Sequence, residues 1–204
     1  MITRITAIQN LEKYIGQDLA ELAKELGITT FINGKQNKGW KGLTLELLAG
    51  LTNDNKQAPN GLGFELKSTA FYRAKGLWTP KETMAITMIN PANLIETPFF
   101  QSHCWEKLKS IVFCAVSWNG MNEPKSALLK IQSFDFLKDD VIIKEIETDY
   151  EFIRNKCATQ GFQALTGKDG KWIQARTKGA GHGSESRAFY ARTGLIREII
   201  NLNE

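Results

Sequence analysis

A chain of 204 residues with 42% apolar content is long enough for one well-buried domain, or one domain split into two lobes. Seventeen Gly and five Pro exclude a fibrous repeat and a low-complexity chain, and no apolar run reaches the ~18–20 residues of a membrane span. The net charge of +4 permits a polyanionic partner without demanding one.

Cys104, Cys114 and Cys157 are an odd number with no CxxC pair, and the N-terminal stretch lacks the apolar core of a signal peptide. Reduced core thiols in a cytoplasmic protein are expected. From Ile5 to Leu26, apolar residues recur every three or four positions, the period of a helix. Gly16 interrupts it, Gln17-Asp18 offers a restart, and Gly27 suits the stop. Asn33-Gly34 marks a turn, and 43–49 reads as a helix ending at Gly50, with Glu46 the one acid in its apolar run. Strands are predicted over about 63–69 and 81–89, with 76–80 as their connection. A helix starts near Thr97-Pro98 and holds 105–109.

The near-continuous apolar run 110–117 predicts a buried central strand. Another strand over 126–136, a helix over 141–157, strands at 172–176 and 187–191, and a closing helix at 195–202 complete the order. Helices alternating with strands in this way predict an α/β or α+β domain with a mixed central sheet flanked by helices.

The chemistry concentrates at Phe64-Glu65-Leu66-Lys67. On a strand, alternation puts Glu65 and Lys67 on one face and Phe64 and Leu66 on the other. A carboxylate and an ammonium side by side can hold a divalent cation and activate a water against a phosphodiester. Glu65 would be a metal ligand and the Leu66 carbonyl another. Lys67 would orient the water or stabilise phosphoryl charge. Glu46 is the candidate to complete the shell. Taken alone, Glu-x-Lys also suits any amphipathic strand with a solvated ion pair. Gly61-Leu62-Gly63 is not followed by a helix, which disfavours a dinucleotide loop. His103 and His182 have no partner at ligand spacing, which disfavours zinc. Lys168 to Lys178, with Arg187 and Arg192, makes the last third rich in cations interleaved with aromatics. That pattern fits a solvated surface or a DNA-contacting one.

Several stretches in order carry a resemblance. Asp18-Leu19-Ala20-Glu21-Leu22-Ala23, Lys38-Gly39-Trp40-Lys41-Gly42 with Glu46 and Gly50, and Leu62-Gly63-Phe64-Glu65-Leu66-Lys67-Ser68-Thr69 come first. Ser102-His103 with Lys107-Leu108-Lys109, Gln174-Ala175-Arg176-Thr177-Lys178-Gly179-Ala180, and Arg187-Ala188-Phe189-Tyr190 follow. Together they resemble the MutH-type DNA endonucleases. These comprise the mismatch-repair nicking enzyme and related GATC-cutting type II restriction enzymes, within the PD-(D/E)xK nucleases.

The resemblance implies a restriction-endonuclease-like core in a single endonuclease domain spanning 1–204. Its expected shape is two lobes around a DNA cleft, catalytic over about 1–110 and DNA-reading over about 111–204. It implies Glu46, Glu65 and Lys67 as catalytic residues, with Lys38 beside them. Lys107 or Lys109 would meet phosphate, Arg176, Lys178 and Arg187 would contact DNA, and Tyr190 would lie near the base edges. The family's first metal-binding Asp falls seven residues before Glu65, on Ala58, and a second register puts it on Asn60. Thr177 stands where the family has Pro, and the segment between Ala180 and Arg187 is short. The activity implied is Mg²⁺-dependent cleavage of double-stranded DNA by a type II restriction enzyme, with GATC the candidate site and Ala58 an inactivating residue. Two other readings stand beside it: a mismatch-repair nicking endonuclease activated by a MutL-like partner, and a catalytically dead DNA-binding protein.

Overall fold

A computed structural model describes residues 2–52, 59–120, 126–179 and 185–203, with only the backbone of Lys35 and Gln36. The chain divides into two compact units. The first comprises Met1–Glu82, Ile111–Phe134 and Ile199–Glu204, and the second Thr83–Ser110 and Asp135–Glu198.

In the first unit, α1 (Arg4–Glu12) starts at Thr3, whose hydroxyl accepts from the Thr6 amide. Gly16, at φ 83°, breaks the apolar period, and α2 (Leu19–Glu25) restarts on an Asp18 cap. The same Asp18 oxygen accepts from Ser126 N at 3.0 Å, tying the start of α2 to a distant segment. Asn33-Gly34 turns a short hairpin, β1 (Phe31–Ile32) with β2 (Lys35–Gln36). Helix α3 (Trp40–Leu48) follows, and Gly50, at φ 84°, ends it. The sheet has the order β4-β3-β6-β7, from β3 (Glu65–Ala74), β4 (Leu77–Pro80), β6 (Ser110–Ser117) and β7 (Leu128–Asp135). The strands β3 and β6 run parallel in the middle, and β4 is antiparallel to β3. Phe64, Leu66, Ala70, Val112, Cys114 and Val116 bury one face with Leu11, Leu19, Leu22, Trp40 and Leu45 of the three helices.

In the second unit, β5 (Met84–Met88), β9 (Arg187–Ala191) and β8 (Ile173–Thr177) form an antiparallel sheet in that order. Its helices are α4 (Pro91–Glu96), α5 (His103–Leu108), the long α6 (Val141–Gln160) and α7 (Thr193–Ile199). Phe99, Trp105, Tyr150 and Phe189 gather as a ring cluster. Burial pushes the Tyr150 hydroxyl up to about 12, and that hydroxyl donates to the Thr97 carbonyl. Asp149 on α6 accepts from the backbone amides of Lys171, Trp172 and Ile173, which docks β8 onto the helix.

Asp169, also buried, accepts from Lys156 Nζ at 2.8 Å and from Thr166 N at 2.7 Å. Burial raises its pKa, but the Lys156 and Thr166 bonds outweigh burial and hold it below the ordinary 3.8. A depressed carboxyl stabilises the fold above its unfolded pKa, and that contribution is lost as pH falls through the folded value. Urea midpoints at pH 7 and pH 3 should therefore differ more for the parent chain than for Asp169→Asn. An equal difference in both would remove this ion pair from the account of acid sensitivity.

The mixed α+β class with a sheet flanked by helices is what the pattern predicted, and β6 is the buried central strand. Two assignments are corrected. Residues 77–80 are not connection but β4, folded back on β3 through Lys75 (φ 50°) and Gly76 (φ 84°). Both centre residues of that turn take the left-handed conformation that matches strand twist. The strand expected from 81 begins at Met84. All three cysteines are free and buried, as expected, and burial pushes Cys114 up to about 12. No helix among the described residues is long and apolar enough to cross a membrane.

Candidate active site and DNA-contacting residues

The segment 59–64 builds the entry to β3. Gly61 N donates to the Phe64 carbonyl at 3.0 Å, and Gly63 sits at φ 76°. Gly61 packs so closely on Phe64 that an added Cβ would lie 2.0 Å from the ring. Gly61→Ala should therefore cost about 2 kcal/mol or more by overpacking. A thermal melt checks this, and an unchanged midpoint would mean that the turn is not needed to shape the site.

The strand then separates its faces as alternation requires. Phe64 and Leu66 enter the helical core, and Glu65 and Lys67 take the opposite face, level with Ile111 and Phe113 of β6. Glu65 is 2% exposed. A buried carboxylate needs compensation. Lys67 Nζ lies 2.9 Å from Glu65 Oε1, and the Asn60 backbone amide donates to Oε2 at 3.0 Å. Two residues further along the same face, the buried Thr69 hydroxyl has no hydrogen bond among the described residues.

Asn60 is the connection that sequence reasoning treated only as an alternative acid. Its side-chain amide donates to Glu46 Oε1 at 3.3 Å, and its Oδ1 accepts from Leu66 N at 3.4 Å. One residue thus links the carboxylate of α3 to the carboxylate of β3. Glu46, Glu65 and Lys67 come together as the residue pattern suggested. Ala58 and His182 lie outside the described residues.

Glu46 and Glu65 are hard oxygen donors and suit a cation such as Mg²⁺ in kind. Among the described residues, however, no three His, Cys, Asp or Glu side chains group as a metal site. The described residues thus present two carboxylates here.

The proposed DNA contacts divide by environment. Lys38 is exposed in the turn before α3. Lys107 lies in the last turn of α5, and Lys109 caps that helix while pairing with Glu106 at 2.7 Å. Arg176 is exposed on β8, its guanidinium 4.8 Å over the Tyr190 ring and donating to Thr83 at 3.3 Å. Tyr190, on β9, pairs directly with Gln174, and Lys178 is exposed just past β8. Arg187 differs from these. It is 6% exposed and donates to the carbonyls of Gln163, Leu165 and Glu185 and to the Gln163 side chain. Its guanidinium holds a loop and does not face solvent.

A mixed α+β sheet, with a Glu-x-Lys strand bringing a helix acid and a strand acid together, defines a restriction-endonuclease-like protein. A family model described as "MutH: DNA mismatch repair enzyme MutH" matches residues 47–145, a stretch that carries Glu65, Lys67, Lys107 and Lys109 and begins just after Glu46. The "DNA mismatch repair protein MutH" of Escherichia coli O17:K52:H18 is 26% identical over 180 residues, covering 87% of this chain and 76% of that protein. Those of E. coli K12 and Shigella boydii serotype 18 match to the same extent, at 26% over 180 residues. The chain is therefore similar to the MutH-type endonucleases over most of its length.

Proposed function

We propose that this chain is a Mg²⁺-dependent, sequence-specific double-stranded DNA endonuclease of the type II restriction kind, inactivated in its present form at Ala58. The observation that carries the reading is the junction at Asn60, which joins Glu46 to a Glu65 already paired with Lys67. Glu65, the Leu66 carbonyl and an aspartate at position 58 would hold the cation, with Glu46 beside them. Mg²⁺ there would supply Lewis-acid stabilisation of charge on the scissile phosphate. Lys67 orients the attacking water and stabilises the developing phosphoryl charge. Lys38, Lys107, Lys109, Arg176 and Lys178 contact the phosphate backbone, Tyr190 lies near base edges, and GATC is the recognition sequence by family analogy. Arg187 supports this surface from below, through the 163–165 loop.

A second reading has its own support, because the matched relatives are named as mismatch-repair proteins. In that reading the chain nicks one strand and needs a MutL-like activator. Digestion of a supercoiled plasmid by the Ala58→Asp variant separates the two. Linear product without a partner supports restriction, whereas open circles that increase with a MutL-like protein support repair. A DNA-binding protein without catalysis would give neither.

A further inference from the structure

We infer that the loop Thr166–Gly170 is a preformed phosphate-binding element of the DNA surface, in which Lys168 holds a backbone phosphate and Arg192 is the positioning residue. This rests on the DNA-binding reading above.

The loop is held from inside by an unusual share of its polar groups. Arg192 Nε donates to the Gly170 carbonyl at 3.0 Å, and Nη2 donates to those of Gly167 at 2.9 Å and Asp169 at 3.2 Å. One guanidinium thus binds three carbonyls of a five-residue loop. The Asp169 carboxylate closes the loop onto Thr166 N and anchors it to Lys156. Gly170 takes φ +79°, and a Cβ there would lie 2.0 Å from the Ile173 carbonyl, so the chain can close only through glycine.

The exception to this inward arrangement is Lys168. Its amide donates to the Thr166 hydroxyl at 3.3 Å, while the side chain is exposed and has no carboxylate partner among the described residues. The loop also has a defined neighbour. A Cβ on Gly167 would lie 3.6 Å from Arg176 Cβ and 3.4 Å from Gln174 Oε1. Lys168 thus follows the residue that packs on Arg176, whose guanidinium stacks on Tyr190 and also has no carboxylate partner among the described residues. Lys168 and Arg176 are thus exposed cations on neighbouring segments, and the loop that carries Lys168 is already ordered in the free protein. That arrangement suits the anionic oxygens of a DNA backbone and carries no base information.

The test uses the full chain without Mg²⁺ and a fluorescent duplex containing GATC, titrated over a salt series. Lys168→Ala should weaken binding about five- to tenfold at low salt and reduce the log–log salt slope by about 1. The effect should be equal on a scrambled duplex, with the melting temperature unchanged, and Lys168→Arg should restore the slope. Arg192→Lys should weaken binding similarly and add nothing to Lys168→Ala, a non-additivity that a purely structural role would not produce. If Arg176→Ala weakens binding while Lys168→Ala binds as the parent does, the loop is not a phosphate contact. If neither variant alters binding, the DNA-binding reading itself fails. Should Arg192→Lys not fold, the slope of Lys168→Ala decides alone.

Discussion

On the reading proposed above, Ala58→Asp is expected to raise cleavage of GATC-containing plasmid by about 10³-fold in Mg²⁺, the order of effect that follows from supplying one member of a catalytic constellation. Two carboxylates already converge, since the Asn60 amide reaches Glu46 and its backbone amide reaches Glu65. A third carboxylate would add both negative charge and an oxygen donor to the proposed metal site. In the Ala58→Asp background, Lys67→Ala should return cleavage to the present level while duplex affinity stays within a few fold. In the proposed mechanism the ammonium would act on the water and the phosphoryl charge, whereas DNA would be held mainly by the other cations. Asn60→Asp tests the second register. An increase from Asn60→Asp alone would move the missing ligand to the Asn60 position. If Ala58→Asp and Asn60→Asp both stay inert on every substrate, the proposed mechanism is wrong.

Arg187→Ala should destabilise the fold by about 3 kcal/mol, read as the shift in a urea or thermal transition. The guanidinium is buried and donates to three backbone carbonyls and a Gln163 oxygen, and it stacks at 5.1 Å over Phe162. Truncation would leave several acceptors unsatisfied and open a cavity between the 163–165 loop and β9. Arg187→Lys should recover less than half of the loss, because an ammonium cannot span the same acceptors. Arg176→Ala should show the reverse pattern, with little change in stability and a clear loss of duplex affinity. A stable Arg187→Ala that binds DNA poorly would return Arg187 to the contact surface.

Much of the fold was legible locally. The break at Gly16, the restart on Asp18, the Asn33-Gly34 turn and the stop at Gly50 each rest on one residue's backbone preference, and each is present. The buried strand β6 was legible because both of its faces are covered, which makes its residues continuously apolar. The turn at Lys75-Gly76 was missed because only its second residue is glycine. The helix α4 was missed although Asn90 caps it and Pro91 sits in its first turn. That pair is a start signal, but six residues offer no periodicity to support it.

For the site, the amino-acid sequence by itself determined which residue types were available and that alternation would set Glu65 and Lys67 against Phe64 and Leu66. It also marked position 58 as lacking an acid, and it carried the family resemblance that the comparisons bear out. Only the tertiary structure decided the partners. Asn60 as the link between Glu46 and Glu65 depends on α3 packing beside β3, a contact between residues separated along the chain. The division of the cations into exposed Arg176 and Lys168, buried Arg187 and half-buried Arg192 had no local signal. All four are basic residues among glycines and aromatics, and what separates them is which backbone carbonyls the fold brings within reach.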